Sequence, residues 1–478
     1  MPDLCRPGSP MESLYQQLAG EIAGHIASGV YAAGERLPGV RSLARTRGVS
    51  VATAIAAYQT LADAGRIEAR ARSGYYVRAR QAIQPIEPDA AAQASAPRLV
   101  TGQAMALALI QAANDPGIVQ LGAAVPDPAF LPTQALARAL SRVMRTQRAR
   151  AAGYMMPPGA AELRRQIARH MSETGGTVAA GDIVITTGCQ EALSLALRAT
   201  TRPGDVVAVE SPAFYGLLHV LESLGLEALE IPTHPRDGIA LDALAFALER
   251  WPVRACVLAP SYANPLGHCM PDDAKRALIR LLGRHELPLI EDDVYGDLGF
   301  APRRPPSCKS LAPRADILYC SSFSKTLAPG LRIGWVAACG ARRERVEYLK
   351  YVTSIASPTV AQLALADLLA SGRYRRYLGA VRGRYASAVA RMSDAVMKVF
   401  PAGTRISQPQ GGFVLWVELP PGTDSYALAR RALRQGVSVA PGPLFSASGR
   451  FGNCIRLSCA RVWDARLERA LVTLAKLV

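Results

Sequence analysis

Between residues 182 and 325 short, β-branched apolar runs alternate with stretches of helical pattern, and no other feature restricts the fold so tightly. DIVITTG (182–188) precedes the helical QEALSLAL, and DVVAVE (205–210), ACVLAP (255–260), PLIEDDVY (288–295) and DILYCSSFSK (316–325) follow. The spacing predicts a helix near Asp272–Arg284 between the third and fourth of these runs. Strands apolar on both faces need cover on both faces, which predicts a mainly parallel α/β sheet flanked by helices. A ligand of such a sheet sits beyond the carboxyl ends of its strands.

Upstream, residues 81–103 (QAIQPIEPDAAAQASAPRLVTGQ) are rich in Ala, Pro and Gln and poor in bulky apolar side chains. Such a stretch buries too little surface to offset its ordering entropy, so it reads as a linker between a segment over 11–80 and a body over 104–478. In the first segment Leu14, Leu18, Ile22 and Ile26 place one apolar stripe on a helix. A second short helix is expected over Val40–Arg47, then Gly48, then a third capped by Ser50 with Ile55, Tyr58 and Leu61 on one face. IEARARSGYYV alternates around Ser73-Gly74 and predicts a hairpin.

Charge narrows the partners. Lys plus Arg number 55 against 38 acids, a net +17, which favours nucleic acid, a membrane surface or phosphorylated ligands. No run approaches the ~18 apolar residues of a membrane span, and the first residues lack the apolar block of a secretory signal. The nine cysteines are odd in number and never spaced C-x-x-C, which suits free thiols in a reducing cytosol and predicts no metal site. Within 36–80, arginines 36, 41, 45, 47, 66, 70, 72, 78 and 80 face only Asp63 and Glu68. Two short helices joined at a glycine turn, with such a charge surplus, have the form that enters a DNA major groove.

The stretch from Leu14 to Val77 resembles the GntR-type winged helix–turn–helix at Gly34, Arg36-Leu37-Pro38, Arg41, Leu43-Ala44, Gly48-Val49-Ser50, Ala57-Tyr58, Leu61, Gly65 and Gly74. Two positions depart from the family: Gly39 stands where Ser is common, and Val51 where an Arg often contacts DNA. The expected DNA contacts are Arg41, Arg45, Arg47, Ser50, Thr53, Arg70 and Arg72.

In the body, SSFSKTLAPGLRIGW (321–335) carries the strongest chemical signal. Lys325, placed after a strand, can form a Schiff base with an aldehyde cofactor, and Ser322, Ser324 and Arg332 suit a phosphate monoester beside it. Ser322-x-x-Lys325 also fits the acyl-serine motif of penicillin-binding proteins, but neither of that family's other two motifs, S-D-N and K-T-G, occurs. Asp292 ends an apolar strand; a buried carboxylate needs a partner, and a pyridinium N–H is one. Tyr295 and Asn264 can hydrogen-bond a ring oxygen, Gly188-Cys189-Gln190 open a helix whose N-terminus suits phosphate, and Phe214 can stack on the ring.

These motifs, in this order over roughly 115–478, resemble the fold-type I aminotransferases of class I and II. The resemblance implies pyridoxal 5'-phosphate on Lys325, with Asp292, Tyr295, Asn264, Gly188, Cys189, Gln190, Phe214, Ser322, Ser324 and Arg332 around it. It further implies that Tyr154 reaches the neighbouring subunit's phosphate and Arg456 clamps an α-carboxylate. A large domain over about 126–335 and a small domain from the flanking segments follow from it. Head, linker and body together resemble the MocR subfamily of transcription regulators. That resemblance implies a cytoplasmic head-to-tail homodimer that binds a double-stranded operator under control of pyridoxal phosphate or its adduct with an amino acid or amine. The competing reading is an active aminotransferase with secondary DNA binding, since nothing in the motifs marks turnover as lost.

Overall fold

The computed structural model describes residues 14–27, 30–31, 34–63, 66–70, 73–77, 87–88, 96–100, 115–173 and 176–478. The chain divides into two compact units, Met1–Gln84 and Pro85–Val478.

In the first unit α1 (Leu14–Ala27), α2 (Val40–Arg47) and α3 (Val51–Asp63) precede an antiparallel hairpin of β1 (Ile67–Arg70) and β2 (Gly74–Val77). Leu18, Ile22, Leu43, Ala54, Tyr58, Leu61, Ile67 and Val77 form its core. The Tyr58 hydroxyl, buried with its ring, donates to the Pro38 carbonyl at 2.7 Å, so the turn before α2 is tied to α3. Gly48, at φ 64°, ends α2 in the left-handed conformation that glycine adopts without strain. Ser50 Oγ accepts from Thr53 N at 3.1 Å and caps α3, the bond its position predicts. The expected apolar faces are only partly buried. Leu14 is 66% exposed at the outer end of its stripe and Ile55 44% exposed, because Ala54, Ala57, Tyr58 and Leu61 supply the inner face of α3.

The second unit contains β3 (Arg98–Leu99), β4 (Val119–Gln120), β5 (Ile183–Thr186), β6 (Val206–Ser211), β7 (Glu227–His234), β8 (Gly238–Ile239) and β9 (Val253–Leu258). These are followed by β10 (Leu289–Asp292), β11 (Ile317–Ser322), β12 (Gly334–Ala337), β13 (Arg405–Ile406), β14 (Val414–Glu418), β15 (Val437–Ser438), β16 (Ala440–Pro441) and β17 (Cys454–Ser458). Among the described residues one sheet runs β3-β7-β6-β9-β10-β11-β12-β5, with β8 beside β7. Its centre, β7-β6-β9-β10-β11, is parallel, and β12 lies antiparallel between β11 and β5. The helix Asp272–Arg284 has the bounds its periodicity predicts. Part of the segment read as a linker is ordered on this unit: Arg98-Leu99 pairs with β7, and Val100 is buried among Leu226 and Ala228.

A second sheet, β13-β14-β17-β16, packs on the 27-residue helix Arg373–Val399 through Leu415, Val417, Ile455 and Leu457. The central strands are apolar throughout because both faces are covered. Ile290 and Leu318, both wholly buried, meet Leu193 and Leu197 of the helix Cys189–Thr200. Ile290→Ala should lower the stability of this unit by about 2–5 kcal/mol through the cavity it leaves. A denaturation midpoint followed by tryptophan fluorescence tests this, and an unchanged midpoint contradicts the packing described.

Candidate functional site

Five strands of the main sheet end at one edge, and each delivers a candidate site residue there. β5 runs through Thr187 into Gly188 and Cys189, where the helix Cys189–Thr200 begins. β6 leads to Phe214, β9 to Asn264, β10 ends at Asp292 with Tyr295 just beyond, and β11 ends at Ser322 ahead of Ser324 and Lys325. Cys189, Gln190, Phe214, Asn264, Asp292, Tyr295, Ser322, Ser324, Lys325 and Arg332 all line a single cavity of about 520 Å³. Residues up to 143 positions apart in the chain meet because parallel strands carry their carboxyl ends to the same side.

Close packing shapes the turn at Gly188. This residue sits at φ 90°, and a Cβ there would come within 2.6 Å of the Arg332 guanidinium. Arg332 Nη2 donates to the Thr187 carbonyl at 2.9 Å. Gly334 on β12 supports the turn from behind: a Cβ there would meet the Gly188 carbonyl carbon at 2.6 Å and Cys189 N at 2.9 Å. A glycine is therefore required at both positions for the turn to present its backbone N–H groups to the cavity. The Ser322 hydroxyl accepts from Ser324 N at 3.3 Å. Gln190 Nε2 donates to the Gly216 carbonyl at 2.6 Å, beside the Phe214 ring.

Asp292 and Lys325 lie far from their ordinary titration ranges. Burial, then the neighbouring Asp293 carboxylate, pushes Asp292 up to about 7. Its nearest side-chain partner is the Cys189 thiol, with Sγ 3.7 Å from Oδ1. Burial and the cations Arg456 and Arg332 bring Lys325 down to about 8, and its Nζ donates to the Ala124 carbonyl at 2.7 Å. Burial raises Tyr295, whose hydroxyl has no hydrogen-bond partner among the described residues. A cationic ring nitrogen would satisfy Asp292, a ring oxygen would satisfy Tyr295, and a phosphate would meet the donors at Gly188, Cys189, Ser324 and Arg332. The buried Asp292 carboxyl, the partnerless Tyr295 hydroxyl and the donors at the turn together fit pyridoxal phosphate.

Arg456, on β17, is wholly buried behind this wall. Its Nη1 donates to Asn264 Oδ1 at 3.2 Å and its Nη2 to the Gly122 carbonyl, while Nε has no hydrogen-bond partner among the described residues. Tyr154 does not join the cavity within one chain; it is 78% exposed. Three supporting groups were not among the expected site residues. Ala124 and Gly122 act through their carbonyls, which any residue provides. Glu210 lines the cavity, accepts from Ala259 N at 3.0 Å and lies 3.2 Å from His268 Nε2. Its place at the end of an apolar run is the signal that singled out Asp292.

On the first unit Arg41 and Arg45 are exposed on α2, and Thr53 lies on the first turn of α3. Arg47 pairs with Glu21 at 2.9 Å; Arg70 pairs with Glu68 at 2.8 Å and lies 4.3 Å from the centre of the Tyr76 ring. Arg72 falls outside the described residues.

Fold and site together define a winged helix–turn–helix head joined to a pyridoxal phosphate-binding body of fold type I. Residues 14–77 match the bacterial regulatory proteins of the gntR family, and residues 117–474 match the class I and II aminotransferases. The chain is 41% identical over 464 residues to the uncharacterized HTH-type transcriptional regulator YjiR of Escherichia coli, covering 97% of this chain and 98% of that one. It is 27% identical to the probable rhizopine catabolism regulatory protein MocR of Rhizobium meliloti, covering 90% and 85%. The body superposes on the crystal structure of LysN, the α-aminoadipate aminotransferase of Thermus thermophilus, complexed with N-(5'-phosphopyridoxyl)-L-leucine. The TM-score is 0.73 at 30% identity, covering 80% of this chain and 95% of that one. The chain belongs to the MocR-type subfamily of GntR transcription regulators, with a class I and II aminotransferase body.

The low value for Lys325 gives a direct check. A group lowered from 10.5 to about 8 holds far more free amine near neutrality than an ordinary lysine. In the apoprotein, labelling of Lys325 by an amine-directed arylating reagent should rise across pH 7–9, with a midpoint near about 8 by peptide mass analysis. A midpoint near 10.5 contradicts the buried, cation-flanked setting.

Proposed function

We propose that pyridoxal phosphate, or its adduct with an amino acid, sets how tightly the head holds its operator. The observation that carries this reading is the single cavity lined by Lys325, Asp292 and Tyr295 in a chain whose other unit is a DNA-binding head. In this reading the head spans 11–80, the linker 81–103 and the body 104–478. Bound in the body, the cofactor supplies an electrophilic carbon and an electron-withdrawing ring. Lys325 provides the attachment amine and, when that amine is free, a site that takes up or releases a proton at Nζ. Asp292 keeps a ring nitrogen protonated; Tyr295 and Asn264 hold the ring oxygen, and Phe214 covers one face. Gly188, Cys189, Gln190, Ser322, Ser324 and Arg332 receive the phosphate.

Arg456 is the site for the α-carboxylate of an amino acid effector. A carboxylate there competes for the guanidinium donors now spent on Asn264 and Gly122. A series of hydrogen bonds leads from this point toward the linker. In the Asn264 loop, the Gly267 carbonyl accepts from Gln410 N at 2.9 Å, and Gln410 Nε2 donates to the Arg236 carbonyl at 3.3 Å. The Arg236 guanidinium in turn donates to both Glu87 carboxylate oxygens, at 2.7 and 2.6 Å. Glu87 lies in the segment that leads to the head, and Pro88 beside it lines a small cavity with Pro212, Leu266 and Trp416. Such a path transmits only if the effector binds two arrangements of it unequally.

A head-to-tail homodimer in the cytoplasm completes the reading. Tyr154 and Met156 are exposed, as are Tyr348, Tyr351, Val352 and Ile355 at the end of the helix Gly340–Ser354. Apolar surface of this kind suits a second copy, whose phosphate Tyr154 would then reach. Among the described residues no helix is long and apolar enough to cross a membrane.

Operator affinity measured with and without a panel of amino acids tests this control. The native holoprotein should shift by at least about fivefold with the right effector, and Lys325→Ala should not. Equal affinity in every case overturns cofactor control. Arg41→Ala and Arg45→Ala should each lower the slope of log affinity against log salt by about 1, through lost phosphate contacts. An unchanged slope removes that arginine from the interface.

A further inference from the structure

The turn that opens the helix Cys189–Thr200 is held by a charged pair outside the cavity. Lys350, on the helix Gly340–Ser354, is 1% exposed, and its Nζ has three acceptors: Glu191 Oε2 at 2.8 Å, Ser354 Oγ at 2.7 Å and Thr187 Oγ1 at 3.1 Å. Glu191 stands in the first turn of the helix Cys189–Thr200. Its Oε2 also accepts from Thr187 N at 2.6 Å, and its Oε1 accepts from Ser354 Oγ at 2.7 Å. Burial alone would raise this carboxyl, but the Lys350, Thr187 and Ser354 hydrogen bonds outweigh it and hold Glu191 below its ordinary range. It is an anion at the helix end where the phosphate belongs, and alone it would repel that phosphate.

Lys350 neutralises this anion, and the pair then grips Thr187 at both its N–H and its hydroxyl. The third polar group of Thr187, its carbonyl, accepts from Arg332 Nη2 at 2.9 Å. We infer that Lys350 and Glu191 are positioning residues for the phosphate group, fixing the Thr187–Gly188 turn and, through the Thr187 carbonyl, the Arg332 guanidinium. Neither side chain reaches the cavity, so neither is a binding residue. The inference rests on the phosphate role proposed above for Gly188 and Arg332.

A purely structural ion pair and a phosphate-positioning pair differ in one readout. Apoprotein is titrated with pyridoxal phosphate and with pyridoxal, which lacks the phosphate, following the visible absorption of the bound vitamer. Lys350→Met should weaken pyridoxal phosphate by about tenfold, about 1.4 kcal/mol, and leave pyridoxal within about twofold. Lys350→Arg should restore most of the preference, because a guanidinium can still pair with Glu191. The double variant Lys350→Met, Glu191→Gln leaves no unpaired buried charge and should fold where the single one does not. It should also lose preference for the phosphorylated vitamer. Equal weakening of both vitamers in the double variant, or no weakening in either variant, overturns the inference. If the native protein itself does not prefer pyridoxal phosphate over pyridoxal, it is the underlying site reading that fails.

Discussion

A carboxylate at the end of a buried parallel strand needs a cation, and among the described residues Asp292 has no ion pair: the Cys189 thiol and the Val294 backbone N–H hydrogen-bond it, and the Asp293 and Glu210 carboxylates lie close by. The rest of the body can be understood from that unmet requirement. The parallel order β6-β9-β10-β11 brings Asp292 beside Asn264, Tyr295 and Lys325, and the antiparallel β12 brings Gly334 and Arg332 against the Gly188 turn. The cavity so formed is lined by Asp292 and by Lys325 and Arg332, by the Tyr295 phenol, which has no hydrogen-bond partner among the described residues, and by the helix turn at Cys189 and Gln190. A ring with a protonated nitrogen, a phenolic oxygen and a phosphate answers each of these in turn.

Beside Asp292 in the chain, Asp293 and Asp297 join a cluster of buried charge. Arg304 Nε lies 2.9 Å from Asp297 Oδ1, and its Nη2 pairs with Asp293. Tyr319 donates to Asp293 at 2.7 Å, and Tyr374 donates to Asp297 at 2.9 Å. His170 Nε2, from the helix Ala161–Ser172, lies 2.8 Å from Asp297 Oδ2, the oxygen that accepts from Tyr374. A network of this kind stabilises little beyond what an apolar core would, but it ties Asp293 and Asp297, on either side of Tyr295 in the chain, to three other elements.

Much of this was legible in the chain. The strand runs and the Asp272–Arg284 helix appear where their periodicity places them, because covered strands must be apolar on both faces and a surface helix on one. Asp292 and Ser322 were readable because each stands at the end of such a run, and Cys189 and Lys325 because each follows one within a few residues. What sequence could not show was support through the backbone: the Ala124 and Gly122 carbonyls carry no side-chain identity. Nor could it show pairs that meet only in three dimensions, such as Lys350 with Glu191, 159 positions apart. In the head, helical spacing alone did not reveal that Ala54 rather than Ile55 faces the core. In the segment read as a linker, the Arg98-Leu99 strand and the Glu87–Arg236 pair depend on partners far along the chain.

The central claim is that one lysine at the end of β11 carries the cofactor in a chain that also reads DNA. The direct measurement is peptide mass analysis after the protein is loaded with pyridoxal phosphate and reduced with borohydride. The account predicts one stable added mass per chain, on the peptide containing Lys325. Addition to another lysine, or none at all, would contradict it.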